Sequence, residues 1–292
     1  MAFSFTASSL CPGRPWVQPV VRGAAMNDST GSLAERSAAN GLYYRLIGRG
    51  APLVLLHGLM ASGAMFDPLV DLLRDDFRLL IPDLRGHGQS AEMRGPYDPA
   101  TMAGDLDPAM AEAGFARANV LGYSHGGAVA QVLSRVQPHA VSKLILVCTY
   151  ACNVATLREY LEGLALVASL SVVPPRTLAR LIVQPGHAGM PGMTKEQAVW
   201  LRGIIGANDR KTMRAAAEGL LTFDSRPWLK DISVPTLVIA GAEDTAVPVH
   251  HFHMLVSGIP GAQGAVVQGA GHTLLWTHTE ELADMIRVSA RS

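Results

Sequence analysis

A chain of 292 residues with 24 lysines and arginines against 24 acidic residues has no charge excess to draw nucleic acid or an anionic membrane surface. Hydrophobic residues make up 49% of it, which suits a sheet buried on both faces and excludes a disordered or fibrous chain. No apolar run approaches the ~20 residues that a membrane-spanning helix needs.

The first 26 residues differ from the rest. They carry no acidic residue, loosely spaced prolines, and only Arg14 and Arg22 as charges. They lack the apolar stretch and small-residue cleavage site of a secretory leader, and read as a floppy extension with Met26 as the true start. Residues 1–35 are therefore expected to be a flexible extension. Three cysteines, Cys11, Cys148 and Cys152, give no even framework, Cys148 sits in a predicted buried strand, and all three read as unpaired thiols of a reducing, cytoplasmic compartment.

From Gly41 onward short apolar runs alternate with amphipathic stretches. Leu42 to Ile47 reads as an early strand. Leu53 to Leu56, Leu79 to Ile81, Val120-Leu121, Leu144 to Val147, Leu237 to Ile239 and Ala265 to Val267 are continuous apolar runs, the mark of strands covered on both faces. Phe66 to Leu73, Ala100 to Ala113, Gly127 to Val136 and Val249 to Val256 are the helices predicted between them. Such alternation implies right-handed crossovers and a mostly parallel α/β sheet flanked by helices. One interval departs from it. From Ala151 to Trp228 there are only helix-like segments, among them Glu159 to Leu170 and Lys195 to Ile205, separated by proline-glycine breaks. The expected division is a core of residues 36–150 and 229–292 with a helical layer, 151–228, set on top.

Gly122-Tyr123-Ser124-His125-Gly126 stands between the run at Val120-Leu121 and a helix. A Gly-x-Ser-x-Gly between strand and helix forms a turn sharp enough to lift the serine hydroxyl clear of the sheet. A serine hydroxyl needs a base, and the base an acid to hold its tautomer. Asp244 follows the strand ending at Ala240, and His272 follows the last apolar run. In a parallel sheet these loops share one rim, so Ser124, Asp244 and His272 are expected to converge there. Acyl transfer also needs two donors for the developing oxyanion. The N–H of His125 is one candidate, and the N–H of Leu59, in the loop His57-Gly58-Leu59-Met60, is the other. His57 is expected to brace that loop and His87 to pack within its own. His250, His251 and His253 read as an exposed helix face, not a metal site, and neither a metal nor a cofactor is expected.

These elements together resemble the α/β-hydrolase superfamily, from about Gly41 to Val288. His57-Gly58 looks like its oxyanion-loop dipeptide, Asp83 to Ser90 like its loop after the fourth strand, and Gly122 to Gly126 like its elbow. Asp244 matches its acid after the seventh strand and His272 its base after the eighth. The 151–228 layer looks like the cap inserted after the sixth strand. The serine nucleophile sets the chain apart from epoxide hydrolases and haloalkane dehalogenases, which use aspartate there. The resemblance implies a serine hydrolase of a small or medium, largely apolar ester or lactone, with a small-molecule partner and a monomeric or homodimeric state. Cap-facing arginines such as Arg158 or Arg202 could hold a substrate carboxylate. The alternatives are a C–C bond hydrolase of a vinylogous diketone acid, which would need a basic cap residue for that carboxylate, a perhydrolase or cofactor-free oxygenase, or a ligand-binding member without activity. The residues lining the substrate pocket are not legible at this level.

Overall fold

The computed structural model describes residues 33–185 and 190–291. The predicted extension, apart from its last residues, and Cys11 lie outside them. Eight strands form one sheet in the order β1-β2-β4-β3-β5-β6-β7-β8. They are β1 (Ala34–Ser37), β2 (Tyr43–Ile47), β3 (Ala51–Leu56), β4 (Phe77–Pro82), β5 (Ala118–Tyr123), β6 (Val141–Val147), β7 (Thr236–Gly241) and β8 (Gln263–Val267). The pairs β1–β2 and β2–β4 are antiparallel, and every pair from β4 across to β8 is parallel. The mostly parallel architecture matches the expectation.

Alternation along the central strands explains why both faces are covered. Leu53, Leu55, Leu79, Ile81, Leu121 and Ile145 enter one core, whereas Val54, Leu56, Leu80, Val120, Leu144 and Leu146 enter the core on the opposite face. Each fully buried aliphatic side chain contributes roughly 1.5–3 kcal/mol of hydrophobic stabilisation. The covering helices are α1 (Asp67–Leu73), α2 (Pro99–Gly104), α3 (Leu106–Glu112) and α4 (His125–Val136). Four more, α5 (Leu157–Val172), α6 (Pro175–Ile182), α7 (Lys195–Gly206) and α8 (Arg210–Leu220), form the cap inserted after β6. The chain closes with α9 (Val249–Gly258), α10 (Leu274–Thr277) and α11 (Thr279–Arg291).

Three local expectations change. The single helix predicted from Ala100 to Ala113 is two, parted at Asp105. Pro108 has no N–H to give the Gly104 carbonyl and its ring would collide with that group, so the helix cannot run through. Strand β1 begins at Ala34, inside the predicted extension, and its sequence Ala-Glu-Arg-Ser is a polar edge with no apolar signal. Cys148 stands one residue past β6 rather than within it, buried and at φ 46°.

The cap is built from strong local signals. Thr156 and Glu159 form a capping box at the start of α5, as Thr194 and Gln197 do at α7. Within the cap α5 packs on α8 and α6 on α7. An isolated bridge between Cys152 and Asp224 closes its base. Its seat on the core joins Leu201 and Ile205 to the buried cluster of Met60, Met65 and Trp276 and adds polar contacts. The Asn208 amide donates to the Met60 carbonyl at 3.0 Å and accepts from the Gly88 N–H at 3.1 Å. Gln197 donates to the Trp276 carbonyl at 2.9 Å.

Candidate active site

Every loop at the carboxyl end of a parallel strand opens onto one rim. Ser124 follows β5 and caps α4 with φ 51° and ψ −118°, outside the regions an L-residue favours. Its neighbours must be glycine. A Cβ on Gly122 would sit 2.4 Å from the Gly126 carbonyl oxygen, and one on Gly126 would sit 2.1 Å from that of Leu56. The turn is pinned by the Ser124 N–H donating to Val147 O at 3.0 Å and by the Thr149 hydroxyl donating to Ser124 O at 2.6 Å.

Asp244, after β7, is fully buried at its carboxylate. Its Oδ1 accepts from the N–H groups of Ala246 and Val247 at 2.9 and 2.8 Å. Its Oδ2 faces His272 Nδ1 at 2.8 Å. With both oxygens so engaged, the carboxylate holds the imidazole with a proton on Nδ1 and leaves Nε2 as the free base. Tyr123 adds a second brace, donating from its phenol to the His272 carbonyl, with the two rings 5.2 Å apart. Ser124, His272 and Leu59 line one cavity of about 570 Å³ between core and cap.

The loop after β3 is stiffened by His57, which is wholly buried. Its Nε2 accepts from the Leu84 N–H at 2.8 Å, so its Nδ1 carries the proton and donates to Gly58 O at 2.8 Å. Burial lowers its pKa to about 4, and burial with the nearby His57 does the same for His87. The His125 ring is also buried, against the Met102 sulfur at 3.3 Å, with its pKa lowered to about 3 by burial and by His87 and His57. The imidazole therefore points away from acid–base work, while the His125 N–H lies in the first turn of α4, where helical amides have no partner within the helix. Asp83 organises the next loop, accepting from Gly63 N and Gln89 N at 2.6 and 2.7 Å.

Two sequence readings are settled where cap meets core. Arg158 is exposed and paired with Glu162 at 2.8 Å, and Arg202 donates to the Val183 carbonyl at 2.8 Å. Neither lines the cavity, and among the described residues no lysine or arginine does. His251 is buried and lines the cavity, and His250 is half-buried, both against Glu159 of α5. The apolar spacing of α9 did not signal this, because the covering element lies some 90 residues earlier. Only His253 is exposed as expected. The sequence reading also passed over Tyr150, Glu159 and Thr149. Thr149, just past β6, stood on a rim position that the parallel order already implied.

A family model described as the alpha/beta hydrolase fold matches residues 51–169. A protein of Azorhizobium caulinodans named "Putative carbamate hydrolase RutD" is 30% identical over 243 residues, 79% of this chain and 88% of its own. Among solved structures, a thermophilic esterase from Thermogutta terrifontis is 25% identical at a TM-score of 0.74, covering 89% of this chain and 98% of that one. An enol-lactonase from Burkholderia xenovorans shares the fold at a TM-score of 0.77 and 23% identity, over 88% of this chain and all of that one (100%). The chain belongs to the α/β-hydrolase family and is an enzyme of it, a hydrolase. No helix among the described residues is long and apolar enough to cross a membrane.

Proposed function

We propose that the protein is a serine hydrolase that cleaves a small or medium, largely apolar carboxylic ester or lactone through an acyl-enzyme. The observation that carries this reading is His272, held by Asp244 at 2.8 Å and opening onto the same cavity as the strained Ser124. Ser124 Oγ attacks the carbonyl carbon as His272 Nε2 takes the hydroxyl proton. The N–H groups of Leu59 and His125 receive the oxyanion. Collapse of the tetrahedral intermediate expels the alcohol, which takes the proton from His272. Water, deprotonated by His272, then attacks the acyl carbon and frees Ser124.

The cavity supports the substrate class. Leu166, Ile182, Val183, Leu201, Ile205 and Trp276 line an apolar lobe, and the volume of about 570 Å³ suits a ligand of modest size. Among the described residues no lysine or arginine lines the cavity, so an anionic substrate finds no Lys or Arg partner there. That ranks the vinylogous diketone acid below a neutral ester or lactone. The Thermogutta relative, named as an esterase, points the same way. The buried free thiols Cys148 and Cys152 fit a reducing cytoplasm, where the enzyme acts as a monomer or homodimer on a diffusible small molecule. The test is a screen of p-nitrophenyl esters by acyl length, lactones and a monoanionic ester, on the native chain and on Ser124→Ala. The expected result is turnover of neutral substrates over the anionic one, abolished in Ser124→Ala with the fold intact by circular dichroism. Full turnover by Ser124→Ala overturns the assignment.

A further inference from the structure

Away from the Ser124–His272–Asp244 constellation, a second group of ligating side chains comes together on the seam between cap and core. Glu159 is in the first turn of cap helix α5, and His250 and His251 are in the first turn of core helix α9. Glu159 Oε1 lies 2.7 Å from His250 Nε2 and 3.4 Å from His251 Nε2, and the two imidazole rings are 4.3 Å apart. The three ligating atoms all fall within 4.8 Å of one another.

The close contacts within this cluster are poorly aligned as hydrogen bonds. Glu159 Oε1 and His250 Nε2 are both shut off from solvent, and despite their approach neither is in hydrogen-bond geometry with a partner. Without a ligand the two atoms have only each other, as an ion pair with a charged His250; a cation between them would satisfy both at once. The other half of the carboxylate is already used: Oε2 accepts from the N–H groups of Ala155 and Thr156 at 2.7 and 3.0 Å, which turns Oε1 towards the histidines. Outer partners of that kind are what fix a ligating carboxylate.

We propose that Glu159, His250 and His251 bind a divalent transition-metal ion, of which Zn²⁺ is the best fit, bridging the cap to the core. Two imidazoles and one carboxylate are a borderline donor set that suits zinc, with a fourth position left for water. Tetrahedral coordination at zinc's bond lengths needs ligand atoms roughly 3.3–3.4 Å apart. The Glu159–His251 separation of 3.4 Å already meets that, and the Glu159–His250 one of 2.7 Å opens by a small rotation of the half-buried His250 ring. Arg226, the nearby cation, is paired with Asp224 at 2.7 Å and so adds little repulsion. Because Glu159 and His251 line the catalytic cavity, an ion held there would tie α5 down at the cavity wall.

The experiment is zinc titration of the metal-stripped full chain by competition with a chromophoric chelator, together with thermal melts with and without Zn²⁺. The native chain and the His250→Ala and His272→Ala variants are compared. His272→Ala is included because Cys148, Asp244 and His272 also lie within ligating distance of one another. The expected result is one Zn²⁺ per chain with a raised Tm, affinity lower by about 100-fold or more in His250→Ala, and unchanged affinity in His272→Ala. No binding, or equal affinity in His250→Ala, or loss only in His272→Ala, overturns the proposal. No binding, or equal affinity in His250→Ala, leaves the Ser124→Ala result of the esterase screen untouched, whereas loss only in His272→Ala puts the ion on the proposed base and counts against both readings.

Discussion

Replacing Asp244 with asparagine tests the catalytic role of that carboxylate without emptying its place. Oδ1 accepts two backbone N–H groups, from Ala246 and Val247, and Oδ2 faces His272 Nδ1 at 2.8 Å. An asparagine keeps its carbonyl oxygen where those two amides need an acceptor, which leaves its NH₂ group facing His272. Two donors cannot share that contact, so the imidazole moves its proton to Nε2, the nitrogen that must take the proton from Ser124. The comparable substitution in serine proteases lowers kcat about 10⁴-fold, roughly 5 kcal/mol of barrier, and a loss of that size is expected here. The assay is steady-state ester hydrolysis, with the fold followed by urea denaturation. The expected pattern is a collapse of kcat, KM changed little, and an unfolding midpoint close to that of the native chain. A fall in kcat of less than about tenfold would refute the reasoning, because a wrong tautomer costs far more.

Other outcomes follow from particular contacts. In Gly126→Ala the added Cβ would meet Leu56 O at 2.1 Å and His57 O at 2.7 Å, both backbone, so a stability loss of about 1–3 kcal/mol or more is expected by urea melt. Asn208→Ala leaves the Met60 carbonyl and the Gly88 N–H without their cap partner; an unfolding free energy lower by about 1–3 kcal/mol is expected. Acid should destabilise the fold through its buried imidazoles. His57 and His87 fall from 6.5 to about 4, and His125 from 6.5 to about 3. The unfolded chain therefore binds more protons than the folded one below pH 6.5, so stability is whole above that pH and drops as pH falls towards 4. Each histidine contributes a slope of up to about 1.4 kcal/mol per pH unit. Urea midpoints at pH 7.5, 6 and 5 check this, and a flat series contradicts it.

How much of this was legible in the sequence depends on where each signal resides. The parallel strands were readable because burial on both faces writes continuous apolar runs such as Leu53 to Leu56. That Ser124, Asp244 and His272 would stand on loops of one rim was readable because strand ends in a parallel sheet share it, so position in the chain stood in for position in space. Strand β1 was not, since a four-residue polar edge carries no burial pattern. The split at Asp105 was readable in Pro108 and was passed over in favour of the longer apolar spacing. The burial of His251 was beyond reach: α9 reads as an ordinary amphipathic helix, and only the fold brings α5 over it. The same holds for the cavity wall, whose residues come from four cap helices and several core loops with no shared local pattern.

Covalent labelling is the most direct test of the central claim that Ser124 is the activated nucleophile. The native chain is treated with a fluorophosphonate at neutral pH, and the adduct is located by peptide mass spectrometry. The expected result is one adduct per chain, on Ser124, absent from Ser124→Ala and slowed severely in His272→Ala. An adduct on another residue, or none while the chain still hydrolyses esters, would contradict the account.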